Sequence, residues 1–134
     1  MKSLDTNTLL RLILADIPKQ TAIVEDLLAN STQKFAVADM VFAEIVWVLQ
    51  GSVYEYDRQH IADNLQSIIA VKNINCNRVM LEKAIPVYVK YSKISFIDAC
   101  LSVYAELNGA IPLLTFDRKL VSALPKTVVT LGTN

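Results

Sequence analysis

The sequence predicts an α/β protein, a three-layer α/β/α sandwich built around a central, mainly parallel sheet. Short apolar runs bounded by polar residues, such as Phe35-Ala36-Val37-Ala38, alternate along the chain with longer stretches of helical apolar spacing. Strands separated by helices pair in parallel through right-handed crossovers. The length, 134 residues without repeats, linkers or low-complexity stretches, predicts a single domain spanning 1–134.

Met1-Lys2-Ser3-Leu4 reads as a first short strand and Asp5-Thr6-Asn7 as a polar turn. Leu9, Leu10, Ile13 and Leu14 then form the stripe of an amphipathic helix that Asp16-Ile17-Pro18 ends. A second helix runs from Lys19 to Asn30 on Ile23, Val24, Leu27 and Leu28. Phe35 to Ala38 is a buried strand, and Asp39 is placed to cap a helix reaching Gln50, with Gly51 at its end. Beyond a polar aromatic link from Tyr54 to Arg58, Ile61, Ala62, Leu65, Ile68 and Ile69 mark another helix, and Asn73-Ile74-Asn75 a brief strand. Asn77 is placed to cap the next helix, which Pro86 should kink or break near residue 85. Ser95 or a neighbour caps a helix from Phe96 to Asn108 that Gly109 stops, Ile111 to Thr115 is a strand, and Asp117 opens a short helix through Val121. Val128-Val129-Thr130-Leu131 is the last strand.

Composition narrows the function. No apolar run approaches the roughly 20 residues of a membrane span, and Met1-Lys2 leads into structure without the apolar core of a secretory leader, so the expected setting is cytoplasmic. Cys76 and Cys100 have neither a CxxC partner nor His neighbours at metal-ligand spacing, which excludes a zinc site or disulfide framework and predicts reduced core thiols. Thirteen basic residues balance thirteen acidic ones, so nucleic-acid binding has to come from a local patch. The hydrophobic share of 53% and mean hydropathy of +0.36 are high for a chain of this size and point to apolar surface covered by a partner or a second copy. His60 opens a helix away from any nucleophile, giving a Ser-His-Asp or Cys-His mechanism little support and leaving a structural or surface role.

Ligands of parallel α/β sheets sit outside the carboxyl ends of the strands, and the acidic residues gather there in the pattern. Asp5 directly follows the first strand, Asp117 lies just beyond the Ile111 to Thr115 strand, Asp98 falls in the first turn of its helix, and Glu44 is in the helix after the second strand. Asp5, Asp98 and Asp117 are equally suited to helix capping or a dipole contact. Glu44 is the only charge between Asp39 and Gly51, in a helix apolar enough to be buried on most faces; it is either a buried carboxylate that needs a partner or a metal, or a lone Glu on a narrow solvent stripe. Carboxylates about 5 Å apart repel by roughly 3 kcal/mol per pair at an effective dielectric near 20. Such a group requires cations, and hard oxygen donors without His or Cys suit Mg²⁺ or Mn²⁺.

Leu4-Asp5-Thr6-Asn7, Glu44, Ser95-Phe96-Ile97-Asp98-Ala99 and Leu114-Thr115-Phe116-Asp117-Arg118-Lys119 together resemble PIN-domain proteins, in particular the VapC-type toxins of bacterial toxin–antitoxin pairs. The likeness runs over essentially the whole chain, with no acidic position missing. It implies a Mg²⁺- or Mn²⁺-dependent endoribonuclease, usually homodimeric, inhibited by a small antitoxin that inserts in or near the acidic groove. Asp5, Glu44 and Asp98 correspond to the central metal ligands and Asp117 to the fourth acid, while Asn7 and Thr115 match positions that orient the carboxylates. Lys90, Lys93, Arg118 and Lys119 flank the acids in sequence as candidate phosphate contacts, and Tyr54 and Tyr56 as candidate base-stacking groups.

Two other functions fit parts of the pattern. A phosphoaspartyl phosphatase needs a second Asp two residues after the nucleophile, where this chain has Asn7, and a receiver needs an acidic pair and a late strand-end Lys, where it has Asp117. A PIN fold that binds RNA or protein without cleaving is the remaining alternative.

Overall fold

The structure, a computed structural model, describes residues 1–132 and divides into two units, Met1–Arg78 and a second from Val79 onward. Both are α/β, and every strand pairing in them is parallel.

In the first unit β1 (Lys2–Ser3), β2 (Phe35–Ala36) and β3 (Ile74–Asn75) form a sheet in that order, with Lys2 opposite Phe35 and Phe35 opposite Ile74. Two further backbone bonds extend it: Leu4 N–H donates to Ala36 C=O at 2.9 Å and Val37 N–H to Asn75 C=O at 2.9 Å. Around the sheet run α1 (Thr6–Leu14), α2 (Pro18–Asn30), α3 (Asp39–Gln50) and α4 (Arg58–Ile69). Leu9, Phe42, Ile45, Leu49, Ile61 and Leu65 are fully buried, each contributing about 1.5–3 kcal/mol of apolar transfer free energy.

Several local expectations shift. Pro18 is the first residue of α2 rather than the end of α1, a position where its missing N–H costs nothing. Helix α1 stops instead at Ala15, a left-handed residue with φ 50° whose N–H returns to Arg11 C=O. Asp39 is inside the first turn of α3, and the capping position falls to Ala38, which makes no side-chain bond. Asp57, by contrast, caps α4 through the His60 N–H at 2.7 Å. The Asn77 amide donates to Asp39 Oδ2 at 3.4 Å.

The second unit holds α5 (Arg78–Lys90, beginning one residue before it), α6 (Phe96–Leu107) and α7 (Arg118–Ala123), with β4 (Leu113–Thr115) parallel to β5 (Val128–Thr130). Helix α5 runs through Pro86 without the expected break. A proline inside a helix costs about 3 kcal/mol, but Leu81, Ala84, Ile85 and Tyr88 on the same helix are buried while Pro86 itself is exposed, and that burial outweighs the missing bond. The Tyr88 ring meets Phe96 edge to face at 5.5 Å. Ser95 caps α6, and Gly109, at φ 61°, turns the chain out of it. Strand β4 begins at Leu113 because Pro112 has no N–H to give a ladder.

No helix among the described residues is long and apolar enough to cross a membrane. Cys76 and Cys100 are not joined in a disulfide and are half-buried rather than in the core proper. Large apolar side chains do reach the surface, Trp47 at 77% and Val53 at 82% exposure among them.

Candidate functional site

In the first unit the sheet delivers Asp5 to the carboxyl end of β1. Leu4, buried and bonded to Ala36, anchors the chain one residue earlier. Asp5 then turns the strand into α1 as its N-cap: Oδ1 accepts from the Thr8 N–H at 2.9 Å and from the Thr8 hydroxyl at 2.7 Å. The Thr8 backbone bond first, and its hydroxyl second, hold the Asp5 carboxyl below its ordinary value. Asp5 is therefore a fixed, ionised carboxylate with Oδ2 left over for a cation.

Glu44 lies elsewhere than expected. It is exposed on α3, on a face it shares with Met40 at 75% and Trp47 at 77% exposure. Burial therefore does not oblige Glu44 to carry a metal or a partner. What places it is the Thr6 hydroxyl, which donates to Glu44 Oε1 at 2.9 Å. Since Thr6 follows Asp5 directly, that bond ties α3 to the start of α1 and holds one acid beside the residue next to the other.

Asn7 is exposed and lines an open cavity of about 380 Å³ together with Asp5, Thr8, Arg11, Gln20 and Ile23. The Asn7 side chain makes no hydrogen bond among the described residues, so holding the carboxylates falls to Thr6 and Thr8. Arg11 is paired with Asp16 at 3.2 Å. The Tyr56 ring stacks on exposed His60, centroids 4.1 Å apart, with Tyr54 edge-on to Tyr56 at 6.3 Å. His60 is thus a surface residue, and its neighbour Tyr56 spends one ring face locally.

In the second unit Asp98 is half-buried in the first turn of α6, its N–H bonded to the Ser95 hydroxyl at 3.0 Å. Asp117 caps α7: Oδ1 accepts from the N–H groups of Lys119 at 2.9 Å and Leu120 at 3.3 Å. Thr115 acts on Asp117 through the backbone, its hydroxyl accepting the Asp117 N–H at 2.9 Å. Lys90, Lys93, Arg118 and Lys119 line one open cavity.

Among the described residues, neither unit by itself gathers three His, Cys, Asp or Glu side chains fit to hold a metal. The donors fit Mg²⁺ or Mn²⁺ by chemistry: carboxylate oxygens alone, one of them on an acid already held ionised. Sequence reasoning missed Thr6 and Thr8. Thr8 was within reach, because the third residue after an Asp cap supplies the capped N–H. Thr6 carried no such signal. No protein-family model matches the chain, and neither does any of the curated proteins compared with it.

Proposed function

We propose that the protein is a Mg²⁺- or Mn²⁺-dependent endoribonuclease of the PIN-domain type, a three-layer α/β/α sandwich. On this proposal it is the cytoplasmic, homodimeric toxin of a toxin–antitoxin pair. The observation that carries the proposal is the Thr6 to Glu44 bond beside the Thr8-clamped Asp5, which fastens two acids to the carboxyl end of a parallel sheet.

On this proposal Asp5, Glu44, Asp98 and Asp117 would hold the ion, which would supply charge neutralisation and an activated water for attack on a phosphodiester. Thr8 fixes the Asp5 carboxylate through its N–H and hydroxyl, which hold its pKa below the ordinary value. Thr6 holds the Glu44 carboxylate on one rotamer, leaving Oε2 for the cation. Ser95 and Thr115 fix the backbone at Asp98 and Asp117.

The test is cleavage of a mixed structured-RNA pool by antitoxin-free protein with Mg²⁺, with Mn²⁺ and with EDTA, beside Asp5→Asn. Metal-dependent cuts that vanish in Asp5→Asn are expected. Wild-type turnover by the purified variant sinks the assignment.

One observation favours a second function, RNA or protein binding without cleavage: Asp5 and Asp117 each spend Oδ1 on a helix N-terminus, a purely structural use. A folded, metal-binding protein that cuts no RNA under any of these conditions decides for it.

A further inference from the structure

Lys90 and Lys93 come from the end of α5 and the loop after it, while Arg118 and Lys119 open α7. The second unit nevertheless brings all of them around one cavity of about 430 Å³, with Ser92 and Ser122 in its wall and no carboxylate among its lining residues. The chain as a whole carries zero formal charge. A neutral protein has thus concentrated like charges around a concavity, where they repel one another and raise the local potential for an anion.

We infer that this cavity seats backbone phosphates of a nucleic-acid strand. The inference rests on the ribonuclease proposal for its choice of ligand. Lysines predominate, and lysine is a mobile point charge that follows phosphates rather than a fork that reads a base edge. The cavity is open, as a seat for a passing strand requires, and its volume lies within the roughly 300–1,000 Å³ of ligand sites. Tyr91, the one aromatic in the wall, already has the Lys90 ammonium 5.2 Å from its ring centre. The seat therefore grips without selecting sequence. Arg118 follows Asp117 directly, so strand phosphates held here lie next in the chain to one of the proposed acids.

The experiment titrates the full-length protein with a labelled single-stranded RNA oligonucleotide, and with DNA of the same sequence, in EDTA across a salt series. The variant is Lys90→Gln/Lys93→Gln/Lys119→Gln, all exposed positions. Its control is Lys34→Gln/Lys72→Gln/Lys126→Gln, equally exposed lysines outside this cavity that remove the same charge. Each phosphate that goes unneutralised lowers the slope of log K against log salt by about 0.7 on a single strand, so the cavity variant should drop by roughly 2 in slope. The control should keep the full slope, and the drop should be equal on RNA and DNA.

An unchanged slope in the cavity variant, an equal fall in the control, or a wild type that binds neither strand overturns the seat. A drop confined to RNA also overturns it, because backbone phosphates are common to both strands. Cleavage with Mg²⁺ is scored separately on the same proteins. Metal-dependent cutting with no change of slope leaves the nuclease standing and removes the seat, whereas the expected slopes without cutting do the reverse.

Discussion

Asp5 shows how one side chain serves fold and chemistry through different oxygens. Its Oδ1 caps α1 and its lowered pKa comes from the Thr8 N–H and hydroxyl. A folded-state pKa below the ordinary 3.8 means the stabilisation is complete above that value and is lost as pH falls through the folded value. Asp5→Ala should therefore cost about 1 kcal/mol at neutral pH, with the gap to wild type constant down to about pH 5 and closing in stronger acid. Denaturant unfolding in EDTA at a series of pH values checks it, and a gap that widened on acidification would falsify the capping account. Asn caps nearly as well as Asp, so Asp5→Asn should stay within a few tenths of a kcal/mol of wild type yet lose RNA cleavage.

At the scale of the element, helix ends carry opposite predictions. Gly109 sits at φ 61° after α6 with open space around a Cβ, so Gly109→Ala should cost about 1 kcal/mol by conformation alone, and Gly109→Asn less. Ala15 adopts φ 50° at the end of α1 although it is not glycine. Ala15→Gly should stabilise by about 0.5 kcal/mol, the relief of left-handed strain exceeding the added freedom of the unfolded chain. Thermal melts of the three variants measure these signs directly. Such local rules are why the order of elements was legible in the sequence: Ser95 and Gly109 act on residues within one turn. They could not reach Thr6 and Glu44, which meet across 38 positions. They also misjudged Glu44, because Ile45 and Ala43 are its neighbours in sequence but not on its helix face. The residues one turn away, Met40 and Trp47, are the ones that share its exposure.

For the molecule as a whole, the proposed metal site makes a claim about stability. Asp5 and Glu44 belong to the first unit, and Asp98 and Asp117 to the second. An ion that binds the folded protein and not the unfolded chain stabilises the fold, so added Mn²⁺ must raise its stability. At 100 times the dissociation constant the gain is about 2.7 kcal/mol. Wild type should show that gain, and Asp5→Asn and Asp98→Asn should each lose most of it. A full gain retained by Asp98→Asn removes Asp98 from the ligand set. No gain in wild type removes the metal from the proposal, and with it the metal-dependent nuclease. Asp5 and Asp117 would then stand as what their hydrogen bonds already make them, the caps that start α1 and α7.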